Sequence, residues 1–221
     1  VSLLKKPVKP IVLVIFAILG IITGLVSSHI FFTATGSTIF GWSPATPAIK
    51  NQYSGAELTS LAFDVLEHIK EGDFNALAAA AHPDFGVVFS PSPTINLAAN
   101  MRFDSAQIAQ FATDTTNYVW GVRNGSGEPI SLTPVEYFAQ FVYSDDFINA
   151  PIIGVDRIVR SGNALENITE EFPGVRFVDF HIPGGERDTP EDLDWSTLRL
   201  GFEKHAGRLW LTVVVHSTWT V

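Results

Sequence analysis

The chain has 221 residues, 46% of them apolar and 17% charged, with no cysteine and one methionine. That leaves room for one domain of ordinary size and excludes a disordered chain, a collagen and a disulfide scaffold. A net charge of −9 beside a mean hydropathy of +0.22 is a mismatch unless the apolar residues are concentrated somewhere.

They are concentrated near the start. Residues 1–10 form a basic tip with Lys5, Lys6 and Lys9, and Ile11 to Phe32, IVLVIFAILGIITGLVSSHIFF, then runs for 22 residues without Asp, Glu, Lys or Arg. The run matches the roughly 20 residues a helix needs to cross a bilayer. No lysine or arginine follows until Lys50, so the positive-inside rule predicts a single-pass signal-anchor at 11–32, with the N-terminus cytoplasmic and residues 33–221 outside. The alternative is a signal peptide cleaved near Ala34-Thr35-Gly36, releasing a secreted domain, but bulky Ile30-Phe31-Phe32 before that point favours the uncleaved anchor. Without cysteine, a lipoprotein anchor is excluded.

Those three lysines are the only Lys, Arg, Asp or Glu residues among the first 32, so the remainder has a formal charge of −12, three below the whole chain's −9. Such a surface repels nucleic acid and anionic headgroups, so the membrane is expected to be engaged only through residues 11–32 and nucleic acid not at all. Residues 33–52, TATGSTIFGWSPATPAIKNQ, read as a spacer, with Trp42 either at the membrane interface, the usual place for a tryptophan near an anchor, or docked on the domain.

Residues 53–221 read as one domain. Ser54 and Glu57 make a capping box, and Leu58, Leu61, Ala62, Val65, Leu66 and Ile69 recur at helical spacing until Gly72. Asp73 caps a second helix that Pro83 stops, and Phe85 to Ser90 reads as a strand. Asp104 and Gln107 predict a short helix, Tyr118 to Arg123 a strand turning at Asn124-Gly125-Ser126-Gly127, and Thr133-Pro134-Val135-Glu136 a well-capped helix start. Asn163 to Phe172 suggests a further turn or two of helix. Val175 to Ile182, Ser196 to Lys204 and Arg208 to Thr220 are rich in β-branched and aromatic residues and predict three strands, the last two joined as a hairpin at His205-Ala206-Gly207. Helices first and consecutive strands last make an α+β domain.

This order of elements, and in particular LAFDVLEHIKEGDFNALAAAAHPDFGVVFS (Leu61 to Ser90) with the terminal WSTLRLGFEKHAGRLWLTVVVH, resembles the NTF2-like (SnoaL-like, cystatin-like) α+β cone. The resemblance implies N-terminal helices packed on a curved antiparallel sheet, with a pocket between them, in a small enzyme or a binding and assembly module. Asn124 to Ser144 is also similar to segments of secreted or membrane-attached bacterial proteins, a similarity that brings no activity with it.

Period-two alternation puts Asp179 and His181 on one face of their strand, Thr197 and Arg199 on one face of the next, and Thr212, Val214 and His216 on one face of the last. If the faces coincide inside the cone, Asp179, His181 and His216 are candidates for acid–base catalysis, with Arg199 and His82 as ligand-binding candidates. If they do not, these residues form the solvent face of a half-buried sheet. His82, before Pro83, equally suits ordering the helix exit. The acidic loop Pro183 to Asp194 offers Asp188, Asp192 and Asp194 to calcium but lacks the EF-hand spacing, so a plain solvated loop is the expectation and no metal is assigned. Asn124-Gly125-Ser126 and Asn167-Ile168-Thr169 fit the glycosylation sequon.

No phosphate loop, dinucleotide glycine pattern, Gly-x-Ser-x-Gly or His-Glu-x-x-His is present. The expected function is therefore an anchored bacterial protein presenting an extracytoplasmic domain for ligand or protein binding, without a cofactor. The alternative is a small cofactor-independent hydrolase, isomerase or dehydratase. Homodimerisation through the sheet is a third expectation.

Overall fold

The computed structural model describes residues 53–185 and 193–219. The expected signal-anchor at 11–32 and the spacer at 33–52 lie outside the described residues.

The first helix, α1 (Gly55–Glu71), starts where the Ser54–Glu57 box satisfies its free N–H groups, and ends at Gly72 in the left-handed conformation. Its buried stripe is Leu58, Ala62, Val65, Leu66 and Ile69. Asp73 then accepts from the Ala76 N–H to start α2 (Phe74–Ala80). Strand β1 (Val87–Ser90) follows the His-Pro turn, β2 (Met101–Phe103) pairs with it, and α3 (Ser105–Ile108) begins at the Asp104–Gln107 box. A separate two-stranded ribbon, β3 (Tyr118–Val122) and β4 (Pro129–Leu132), precedes α4 (Pro134–Tyr137). The Thr133–Glu136 box caps α4, which runs on into a π-helical turn at Phe138–Val142. Then come β5 (Ile152–Val155), α5 (Ile168–Glu171), β6 (Arg176–Ile182), β7 (Ser196–His205) and β8 (Arg208–Thr218).

The main sheet has the order β2-β1-β8-β7-β6-β5, in which β1 runs parallel to β8 and every other pairing is antiparallel. Ala206 and Gly207, with φ of 49° and 83°, make the two-residue turn that joins His205 to Arg208, as the right-handed twist of the strands requires. The α+β expectation is met. Strands β2, β4 and β5 and the parallel β1/β8 pairing are not legible from periodicity, and of the helix expected over Asn163 to Phe172 only Ile168–Glu171 is helical.

The helix-facing side of the sheet is packed with rings. Phe89 lies 5.5 to 6.3 Å from Phe103, Phe111, Trp120, Tyr137 and Phe138, centroid to centroid. Trp120 stacks on Tyr137 at 3.8 Å and donates its indole N–H to the Leu132 carbonyl at 2.9 Å. These side chains are buried, and they occupy the space between ribbon, helices and sheet where a cone would hold its pocket.

The opposite side of the sheet is buried as well. Val88, Val213, Val215 and Phe177 pack there with Ile168 and Phe172 in a second apolar cluster. Residues 156–172 lie over this side and are tied at one end by Asp156, which accepts the Phe177 N–H and pairs with Arg176 at 2.7 Å.

Candidate functional site

Register decides which candidates meet. Asp179 pairs with Arg199 and His181 with Thr197 across β6 and β7, so these four share the side covered by residues 156–172. His216 pairs with Leu198, one position out of step with Arg199, and therefore points to the helix-facing side. Thr212 falls at the bulge beyond Gly201, where β8 carries one residue more than β7. The constellation of Asp179, His181 and His216 is not formed, because the sheet lies between its members.

The solvent-face expectation fails too, since Asp179, His181, Thr197 and Arg199 are all at most 3% exposed. Arg199 Nε donates to Asp179 Oδ1 at 3.0 Å and Nη1 donates to Glu166 Oε2 at 2.6 Å, while the Val159 N–H donates to Asp179 Oδ2 at 2.8 Å. Burial works against the Arg199 charge, but the Asp179 and Glu166 carboxylates outweigh it and hold the guanidinium's pKa above its ordinary value. Burial raises the Asp179 pKa, against the opposing pull of Arg199 and the Val159 N–H. His181 Nδ1 lies 2.9 Å from Thr197 Oγ1, and burial lowers its pKa despite the nearby Asp179 charge. This is a paired, buried network that fastens residues 159–166 to the sheet.

His82 sits at the exit of α2, where its Nδ1 accepts the N–H groups of Asp84 at 3.3 Å and Phe85 at 3.1 Å. The neutral ring then carries its proton on Nε2, which makes that nitrogen a donor. Although His205 is only 5.0 Å away ring to ring and pairs with Asp84 at 3.4 Å, this tautomer does not suit a metal at His82. Among the described residues no group of three or more His, Asp or Glu is placed to hold a metal ion. Of the calcium candidates, Asp188 and Asp192 lie outside the described residues, and Asp194 accepts the Gly185 N–H at 2.7 Å. Asn167 of the second sequon clamps the Ile95 backbone through both its amide atoms, whereas Asn124 of the first is exposed on the ribbon turn.

Among the described residues, open concave surface is found at the end of β8. Two open hollows of about 260 and 290 Å³ flank His216 and Thr218. The first lies against Pro91, Arg123, Asn124 and Phe141, the second against Ser144, Asp145, Trp195 and Trp219. His216 packs edge-on against Phe141 at 5.8 Å, and its Nε2 lies 3.3 Å from Ser144 Oγ. Burial pushes the His216 pKa down to about 4, with the Asp145 carboxylate working the other way. Ser144, Arg123 and Glu166 were beyond reach of sequence reasoning, because Ser144 meets His216, Glu166 meets Arg199 and Arg123 lines a hollow with His216 only across sequence gaps that no local pattern encodes.

No family model matches the chain, and no curated protein matches it. Among solved structures, the chain is similar to a protein from Xanthomonas campestris assigned as a calcium/calmodulin-dependent protein kinase II association domain. The two share 14% identity over 77% of this chain and 91% of that one, with a TM-score of 0.31. A likeness of that size carries no argument about what this chain binds or does.

Two outcomes follow from the site. Arg199→Met leaves the buried Asp179 carboxylate and the partly buried Glu166 without their counter-charge and should cost about 3–5 kcal/mol in urea unfolding, part of it recovered by adding Asp179→Leu. His216 has a folded-state pKa of about 4 against an ordinary 6.5, so its share of stability is complete above pH 6.5 and lost as pH falls toward 4. That share is about 3 kcal/mol, because acid protonates the unfolded chain first. His216→Gln should therefore show a shallower loss of stability between pH 7 and 4.5 than the native chain.

Proposed function

We propose that this protein is a single-pass, membrane-anchored bacterial protein whose NTF2-like cone works outside the cytoplasm as a binding module without catalysis of its own. The uninterrupted apolar run at 11–32 behind Lys5, Lys6 and Lys9 supports the anchor and its orientation. Two initial helices, a strand after His82-Pro83 and a terminal antiparallel run of β6, β7 and β8 support the cone.

The observation that carries the binding reading is the filling of the interior. Rings from Phe89 to Phe138 occupy the cone, and the acid–base candidates are divided between the two sides of the sheet. Among the described residues, the hollows around His216 and Thr218 offer a ligand a shallow seat with one neutral imidazole, one guanidinium from Arg123 and the partly exposed indole of Trp219. Such a lining suits recognition by hydrogen bonds and ring faces more than proton transfer.

One contact favours a second reading. Ser144 Oγ and His216 Nε2 are 3.3 Å apart at the rim of the larger hollow, the arrangement of a nucleophile and its base in a small hydrolase. A base whose pKa is near 4 accepts a proton poorly in the transition state at neutral pH, which places this reading second.

Two measurements test the proposal. In a bacterial host the full chain should stay with membranes in alkaline carbonate, and protease added outside should remove the domain; release by carbonate, or a mature N-terminus near Ser37, overturns the anchor. A fluorophosphonate probe should leave the native chain unlabelled. Labelling that disappears in Ser144→Ala would replace the binding module by a serine hydrolase.

A further inference from the structure

The turn of the ribbon carries a reactive pair that the proposed function leaves unused. Residues 123–128 join β3 to β4, and every residue from Val122 to Pro129 is exposed. Gly125 and Gly127 have φ of 84° and 72°, in the left-handed region that side chains disfavour. The Arg123 N–H closes the turn by donating to the Glu128 carbonyl at 2.8 Å, the Gly127 N–H donates to the Arg123 carbonyl at 2.9 Å, and the Glu128 N–H donates to Ser126 Oγ at 3.3 Å. No contact among the described residues holds the Gly125 N–H or the Asn124 side-chain amide.

Other asparagines of the domain are restrained. Asn167 accepts the Ile95 N–H at 2.8 Å and donates to the Ile95 carbonyl at 2.9 Å, Asn100 Oδ1 accepts the Asn96 N–H at 2.7 Å, and Asn149 Nδ2 donates to Asp146 at 2.7 Å. An amide held in this way cannot swing its carbonyl carbon onto the next backbone nitrogen, and Ile168, Met101 and Ala150 each add a side chain beside that nitrogen. Asn124 is the one asparagine in the chain followed by glycine, which has no Cβ to obstruct the approach. Its two reacting groups are neighbours in the chain, and nothing but solvent lies over them.

We infer that Asn124 is a site of spontaneous covalent modification, at which the folded protein turns an amide into a carboxylate through a succinimide formed with Gly125. The Gly125 nitrogen gives its proton to solvent base and attacks Asn124 Cγ; the new C–N bond forms, the Cγ–Nδ2 bond breaks, and Nδ2 takes up a proton and leaves as ammonia. Water then opens the ring. Attack at the main-chain carbonyl leaves isoaspartate, with the backbone running through Cγ, and attack at Cγ leaves aspartate. Amide and water become carboxylate and ammonia, and nothing is oxidised or reduced. Arg123, Asn124 and Ser126 line the hollow of about 260 Å³ beside His216, so the new negative charge is set next to the guanidinium of that hollow. The chemistry does not depend on the binding reading of the hollow.

The test incubates the full chain, folded and unfolded in urea, in mildly alkaline water enriched in the heavy oxygen isotope, and follows the peptides by mass spectrometry. In the folded chain the Asn124 peptide should become an acid that contains solvent oxygen and separates into isoaspartate and aspartate forms, while the Asn167 peptide stays an amide. Its rate should lie within about tenfold of the unfolded chain's, as an exposed turn allows. Gly125→Ala should slow it about tenfold, because the new methyl group crowds the attacking nitrogen. A folded chain that converts more slowly than that range overturns the inference, since the turn then protects Asn124. So does a product without isoaspartate, or a rate that Gly125→Ala leaves unchanged, because either means direct hydrolysis without the ring.

Discussion

A guanidinium in the middle of β7 with 1% of its surface exposed cannot stay charged unless it is surrounded by acceptors, and Arg199 is surrounded by them. One acceptor, Asp179, is its cross-strand neighbour; the other, Glu166, comes from the segment over the sheet. Moving such an ion out of water costs several kcal/mol, and only good geometry with further hydrogen bonds offsets it. Residues 156–172 are held where that requirement is met. The Val159 N–H closes on Asp179, Arg160 lies over Trp195, and Asn167 clamps Ile95. A sheet side that would otherwise face solvent becomes the second interior of the domain.

The helix-facing interior follows from a different force. Rings packed around Phe89 remove large apolar areas from water, and the two polar handles among them behave differently. Trp120 donates to the Leu132 carbonyl, while the Tyr137 hydroxyl is held un-ionised by burial, its pKa well above ordinary. This packing fills the space between helices and sheet, and among the described residues open hollows lie at the end of β8. There His216 is the residue at which apolar interior and hollow meet, buried enough to be neutral and yet 3.3 Å from the exposed Ser144 hydroxyl.

Much of the local structure was legible. The Ser54–Glu57, Asp104–Gln107 and Thr133–Glu136 boxes mark helix starts because each is completed within four residues, and all three form. The hairpin at Ala206-Gly207 and the face-sharing of Asp179 with His181 were legible for the same reason, since turn chemistry and strand period are properties of short stretches. The candidate site was legible only in fragments. His216 was identified, but its partner Ser144 is 72 residues away, and the sheet side it occupies depends on whether it stands opposite Leu198 or Arg199.

The sequence by itself determined where helices begin, which runs become the long terminal strands, and that the acidic residues outnumber the basic ones after an apolar run at 11–32. It also determined which residues alternate together within a strand, because these properties rest on backbone sterics and on hydrogen bonds closed over a few residues. Only the tertiary structure decided that β1 runs beside β8, that Glu166 reaches Arg199, and that polar residues resembling a solvent face are buried. Those outcomes depend on register between strands and on what packs over each side. Both are set by the burial of rings and the neutralisation of a charge among residues far apart in the chain.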